Sequence, residues 1–534
     1  MLIKISLLVI FFTAFIIVGL KCQKASKNVS GYVLGGRAVG PWLTAFAYGT
    51  SYFSAVIFVG YAGQFGWNFG VASTWIGLGN AFIGSLLAWV ILGRRTRIMT
   101  QHLGSKTMPE YFGQRFESNT MKIISSTITF IFMIPYTSSL FNGLSRLFRM
   151  AFNIDYSVCV IVMAVLTAIY VIAGGYMATA INDFIQGIIM LAGIVAVILA
   201  VLSKNGGFMA SLQEMSKIES PVMNGAYVSF FGPDPLYLLV VILLTSLGTW
   251  GLPQMVGKFY SIKSEKDIHK GTVISTFFAI IVAGGCYFLG GFGRLYADAG
   301  VLYNPANGKP LFDTIVPAML STLPDFVIAI VIVLVLSASM STLSSLVLTS
   351  SSTFTLDVIK PLYKKGMTEK QQVFIMRLFI VFFIAVSATI AVIKDSIPSI
   401  TFIAQMMGVS WGALAGSFLA PFFYSLYSKK VTKASAITCF VWGCSIAIFQ
   451  MVVSLAKIDV SAFGPFFGYI FKSSINSGVV AMIGGLIIVP FVGLFTKKPD
   501  ASVVDEAFSS YEKTITVKAK DSLGDDEEEE TQNA

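Results

Sequence analysis

The sequence predicts an all-α integral membrane protein of about 13 transmembrane helices. Three observations point there. Of 534 residues, 55% are hydrophobic and 12% charged, with a mean hydropathy of +0.77; a soluble domain carries about 25% charged residues. Apolar runs of roughly 20 residues recur along the chain, each long enough to cross ~30 Å of hydrocarbon. Lysine and arginine gather in alternate connections between those runs, the pattern of a chain threaded back and forth through a bilayer.

The runs fall at about 2–20, 40–65, 70–93, 123–150, 156–178, 181–203, 236–257, 271–293, 324–355, 374–393, 399–426, 432–455 and 475–496. The first has Lys4 as a basic start, like a signal peptide. No small-residue cleavage site follows, and Lys21, Lys24 and Lys27 come directly after it, so it reads as a retained span. With the N-terminus outside, the inner connections and tail hold 27 Lys and Arg and the outer ones 7. That excess predicts a multi-pass protein of the cell membrane with its N-terminus out and C-terminus in. The net charge of +10 is therefore topological and points to no nucleic acid. Two histidines and five cysteines without a CxxC pair argue against a zinc site, a disulfide frame or a resident cofactor.

Two spans carry breaks. Span two holds Gly49, Gly60, Gly63 and Gly66 beside Thr50, Ser51, Tyr52 and Ser54. Span seven reads Thr245-Ser246-Leu247-Gly248-Thr249-Trp250-Gly251-Leu252-Pro253-Gln254. Glycine and proline weaken a helix there, although either break alone fits a simple kink. The two spans lie five apart and so cross in opposite directions. That spacing predicts two five-helix repeats of inverted topology, whose broken first helices leave backbone groups free at mid-membrane. The organisation follows: 1–39, first helix and inner loop; 40–203, first repeat (spans 2–6); 204–235, outer loop; 236–426, second repeat (spans 7–11); 427–496, spans 12 and 13; 497–534, a disordered cytoplasmic tail ending in Asp525-Asp526-Glu527-Glu528-Glu529-Glu530.

Span nine carries Ala338-Ser339-Met340-Ser341-Thr342-Leu343-Ser344-Ser345. Ala338, Ser341, Thr342 and Ser345 share one stripe at helical spacing. Such a stripe either packs helices through small polar residues or replaces the water around a small hard cation; spacing alone leaves both open. Sodium prefers several uncharged or carboxylate oxygens, and carbonyls near Thr50 and Phe53 in the broken span would join Ala338, Ser341 and Thr342. Asp183 opens span six with no base nearby in sequence. It either caps that helix or serves a cation as an intramembrane carboxylate, pairing with Ser341, Ser344 and Ser345 as a second site.

The run Leu336 to Asp357, with Ser350-Ser351-Ser352, resembles the signature of the sodium:solute symporter family. So do Leu103 to Phe116 with Met108-Pro109-Glu110-Tyr111-Phe112 and Arg115-Phe116, then Ala173-Gly174-Gly175-Tyr176 followed by Asp183 and Gln186, then Gly251-Leu252-Pro253-Gln254 through Lys258-Phe259. These occur in the family's order and cover most of the chain. The resemblance implies the leucine-transporter fold with a ten-helix core. It implies a main sodium site at Thr50, Phe53, Ala338, Ser341 and Thr342, and a second, found in some members, at Asp183, Ser341, Ser344 and Ser345.

The resemblance also implies a sodium-coupled secondary active symporter, not an enzyme, that imports a small organic solute. The sodium/proline and sodium/pantothenate symporters are the nearest in pattern, with sialic acid and sugar symporters as the alternative. Proline symporters have an acidic residue where Tyr52 stands here, and Thr50-Ser51-Tyr52-Phe53-Ser54-Ala55 with Phe58-x-Gly60 looks more like the pantothenate branch. Pocket candidates are Tyr52, Phe53, Val56, Tyr136, Thr249, Trp250 and Gln405, for which ordinary core packing is the competing reading. No arginine or lysine falls clearly at mid-membrane in the sequence. A channel or membrane sensor is the rival class, but no continuous polar pore or signalling domain is legible. The expected partners are sodium, the solute and membrane lipid.

Overall fold

Leucine- and valine-rich runs with internal glycines fold here as helices packed against helices, and the computed structural model describes residues 2–22, 28–152, 154–303, 308–363, 366–395 and 402–512. The main elements are α1 (Leu2–Lys21), α2 (Pro41–Tyr52), α3 (Val56–His102), α4 (Asn119–Phe152), α5 (Tyr156–Lys204), α6 (Pro235–Gly251), α7 (Pro253–Ser261), α8 (Glu265–Gly290), α9 (Asp325–Tyr363), α10 (Glu369–Asp395), α11 (Phe402–Tyr427), α12 (Lys433–Ala456) and α13 (Ser474–Phe495). Among the described residues the β-structure amounts to isolated bridges.

Nine of the described helices are long and apolar enough to cross a membrane, or ten if the bent pair α6–α7 is one span. The expectation of about 13 counted differently for a physical reason. Two of the expected spans run on as one helix through the Gly70 turn, and the stretches Ser6–Lys21 and Tyr156–Ile169 are apolar helices that fall short of a crossing length. In α3 the turn is at Gly70 (φ +61°) and in α5 at Gly175 (φ +56°), backbone that a Cβ would strain. That α3 doubles back is plain from Tyr48, whose hydroxyl donates to the Gly84 carbonyl at 2.8 Å.

α9 and α11 are the most enclosed of the long helices: 78% and 89% of their apolar stretches are buried in the protein, against 33% for α10 and for α13. A helix that is buried all round in a membrane bundle can carry hydroxyls without facing lipid. α2 and α5 pack against α9.

The two breaks share one backbone conformation. Phe53 ends α2 at φ −86°, ψ +115°, and Leu252 ends α6 at φ −87°, ψ +118°. At the second break, α6 and α7 meet at 48°. The donor freed after the first break is captured across the bundle, the Ala55 N–H donating to Ser339 Oγ of α9 at 3.2 Å.

α3 and α8 meet through glycine. A Cβ on Gly77 would sit 2.5 Å from Gly284 Cα, one on Gly66 would run into the Gly290 carbonyl, and Ser73 Oγ donates to the Tyr287 carbonyl at 2.7 Å. No side chain fits in that seam.

The tail departs from the expectation of disorder. Ala501–Ser509 is a helix whose Val504, Ala507 and Phe508 are buried. Lys429 pairs with Asp505 at 2.7 Å, and Phe508 lies under the Arg115 guanidinium at 5.3 Å. Apolar residues at i, i+3 and i+4 give this stretch one sticky face. The acidic run 525–530 lies outside the described residues.

Candidate functional site

The break in α2 aims carbonyls at the hydroxyl stripe of α9. Helix ends leave carbonyls without intrahelical partners, and here hydroxyls meet them. Thr342 Oγ1 lies 3.0 Å from the Thr50 carbonyl oxygen, 3.2 Å from that of Phe53 and 3.1 Å from that of Ala338. Ser341 Oγ lies 3.0 Å from the carbonyl oxygens of Thr50 and Ala338. All five residues of the first predicted set are therefore brought together, every one buried. The result is a cluster of five neutral oxygens, three carbonyl and two hydroxyl, sealed from lipid. Its chemistry suits a small, hard monovalent cation, which needs oxygen ligands and no charged partner.

The second set is arranged differently. Asp183 lies within α5, beyond the Gly175 turn, so it does not cap the helix; neither carboxylate oxygen accepts a hydrogen bond. Its ion-pair partner is Lys258, whose Nζ lies 3.7 Å from Oδ2 with the lysine side chain 4% exposed. The same ammonium donates to Ser345 Oγ at 3.0 Å and lies 5.1 Å from the Tyr176 ring centroid. Ser345 Oγ is 2.9 Å from Ser51 Oγ. Ser344 Oγ donates back to the Ser341 carbonyl at 2.9 Å, while Ser341 Oγ faces the first set. Lys258 reads in sequence as one of the inner-loop basic residues; the structure places it on α7, inside the bundle.

Beside it lies a cavity of about 40 Å³, lined by Tyr176, Gln254, Lys258, Ser345, Lys106 and Thr353. That is room for one or two waters. It borders Lys106-Thr107-Met108, the connection expected on the inner side. Toward the opposite end lies a cavity of about 540 Å³, lined by Gln64, Trp67, Asp234, Arg294, Gln405 and Tyr469.

The pocket candidates separate into two groups. Tyr52, Phe53, Val56 and Tyr136 are fully buried around the α2 break. The Tyr52 hydroxyl makes no hydrogen bond, an arrangement costly enough to mark a place where water or solute belongs, while that of Tyr136 has Trp411 and Ser54 beside it. The other candidates are committed elsewhere. Thr249 Oγ1 donates to the Gly84 carbonyl at 3.1 Å, and Trp250 Nε1 to that of Ile83 at 2.9 Å. Gln405 of α11 lines the larger cavity, 3.3 Å from Ser454 Oγ. Trp411, absent from the sequence-derived candidates, meets Tyr136 edge-on at 6.1 Å between centroids, with its indole N–H beside the Tyr136 hydroxyl. Asn80 and Tyr287 form a further buried polar pair.

Comparison with known proteins gives this geometry a context. Residues 32–443 match the sodium:solute symporter family. The osmoregulated proline transporter OpuE of Bacillus subtilis (strain 168) is 28% identical over 493 residues, 92% of this chain and 94% of that protein. A sodium/proline symporter of Staphylococcus aureus (strain JH9) is 30% identical over 511 residues, 93% of each chain. Among solved structures, a Na+-coupled sialic acid symporter in its substrate-bound outward-open state superposes with a TM-score of 0.73 at 17% identity, covering 93% of this chain and 98% of that one. That likeness establishes a shared fold. Together with the family match over most of its length, it makes the chain a multi-pass membrane symporter that belongs to the sodium:solute symporter family.

Proposed function

We propose that this symporter imports a small zwitterionic amino acid, proline first, with sodium bound between α2 and α9. The observation that carries the reading is the convergence of five neutral oxygens from Thr50, Phe53, Ala338, Ser341 and Thr342 on one point at a helix break. The proline assignment draws on the two curated relatives, each named for proline. Tyr52 keeps pantothenate in view as a carboxylate alternative. The solute would lie among Tyr52, Phe53, Val56, Tyr136 and Trp411, where the unpaired Tyr52 hydroxyl could meet a carboxylate.

The matching dihedrals at Phe53 and Leu252 support two inverted repeats. With α3 and α5 each divided at its glycine turn, the helices fit a leucine-transporter arrangement of 13 spans, N-terminus out and C-terminus in. Sodium entering from outside joins α2 to α9 and orders the broken segment. Solute then closes the outer path, and opening inward releases both. One charge crossing 100 mV supplies ~2.3 kcal/mol and a tenfold sodium gradient ~1.4 kcal/mol. One ion thus sustains a solute gradient of several hundred-fold.

The test is initial uptake of radiolabelled proline into proteoliposomes, with and without an inward sodium gradient. Unlabelled proline, pantothenate, short monocarboxylates, sialic acid and sugars serve as competitors. Sodium-stimulated uptake competed best by proline is expected. Competition by pantothenate alone would reassign the solute.

A further inference from the structure

We infer that the ammonium of Lys258 is the resident cation of the second oxygen set, so that this carrier binds one sodium ion and not two. The inference rests on the sodium-coupled reading above and concerns its stoichiometry.

The argument starts from charge. The second set offers one carboxylate, Asp183, and a single carboxylate neutralises a single cation. Lys258 already provides that cation, 3.7 Å from Asp183 Oδ2. Among the described residues no group of three or more His, Cys, Asp or Glu stands where it could hold a metal ion. A sodium ion in the same place would face the ammonium at close range in a medium of low dielectric, where like charges repel strongly.

The hydroxyls are committed too. Ser345 Oγ accepts from Lys258 at 3.0 Å and touches Ser51 Oγ at 2.9 Å. Ser344 Oγ is bonded to the Ser341 carbonyl, and Ser341 Oγ faces Thr50 and Ala338. The tethered ammonium thus holds Asp183 and Ser345, two of the four ligands that a mobile ion would need. It stands on α7, the half-helix beyond the second break, and so joins that half-helix to α5 and α9 much as sodium joins α2 to α9. Being covalently fixed, it adds no energy from the ion gradient.

The surroundings also show what its removal would create. The side-chain amide of Gln254 is buried without a partner, and Gln254, Tyr176 and Ser345 line with Lys258 the cavity of about 40 Å³, so loss of the ammonium would enlarge a cavity already rich in oxygen.

Equilibrium binding of radioactive sodium to the purified full-length protein tests this without any solute. The wild type should saturate at about one ion per chain, and Lys258→Arg should stay there. Lys258→Ala should take up about two, a roughly twofold rise in capacity, and Lys258→Ala with Asp183→Asn should return to one. Two ions per wild-type chain would overturn the inference, as would one per chain in a folded Lys258→Ala protein. The wild-type count decides the matter even if Lys258→Ala does not fold. No bound sodium in the wild type would instead remove the sodium-coupled reading itself.

Discussion

Thr342→Val removes one of the five converging oxygens while keeping the shape of the side chain. Thr342 Oγ1 is the best-connected oxygen of the cluster, within 3.0–3.2 Å of three carbonyl oxygens on two elements. With sodium present, that hydroxyl turns its lone pairs to the ion. A hydrogen bond to a charged group contributes about 1.5–3 kcal/mol net, and we take an ion–hydroxyl contact in a buried site as comparable. At ~1.4 kcal/mol per tenfold, the sodium concentration for half-maximal uptake should rise by about 10- to 150-fold. Thr342→Ser, which returns the oxygen, should lie within about threefold of wild type. The assay is initial solute uptake in proteoliposomes against external sodium at saturating solute, with protein reconstitution checked in parallel. Sodium dependence within about twofold of wild type in a well-folded Thr342→Val protein would refute the placement of the ion. A rise in solute KM alone, with sodium dependence untouched, would move Thr342 to the solute pocket instead.

Two further outcomes follow from the geometry. Tyr52→Phe removes a buried hydroxyl without a protein partner; solute affinity should fall about tenfold while solute-free sodium binding stays unchanged, and an unaltered solute affinity would return Tyr52 to ordinary packing. Gly77→Ala would push a Cβ to 2.5 Å from Gly284 Cα, and overpacking of this kind costs about 1–3 kcal/mol; thermal unfolding in detergent should shift down, whereas Gly366→Ala, with nothing within 4 Å of its Cβ, should leave the midpoint in place.

The first oxygen set was legible because helical periodicity puts Ala338, Ser341 and Thr342 on one face, and glycine-rich sequence marks the break opposite. Both are local signals. What escaped depends on distant contacts. Lys258 belongs by sequence to a basic connection, and nothing local reveals that Asp183, 75 positions away, waits for it. Thr249 and Trp250 looked free to meet a solute, but the carbonyls of Gly84 and Ile83 from another helix take their donors. Gln405 faces the larger cavity, which no local signal in its apolar run marks. Trp411 left a usable signal: an indole N–H in an apolar run needs a partner. The tail helix left another, in the spacing of Val504, Ala507 and Phe508.

The glycine seam between α3 and α8 has a mechanical meaning. Ordinary helix interfaces can slip because side chains swap rotamers and find a second register. Where backbone lies on backbone, sliding by even one residue drives a neighbouring Cβ into a carbonyl, and no rotamer relieves it. The seam behaves as a rivet rather than a bearing. α3 and α8 are therefore fixed to one another, which leaves any sliding to interfaces lined by longer side chains. The proposed sodium oxygens and the Lys258–Asp183 pair stand outside that seam, on α2, α5, α7 and α9.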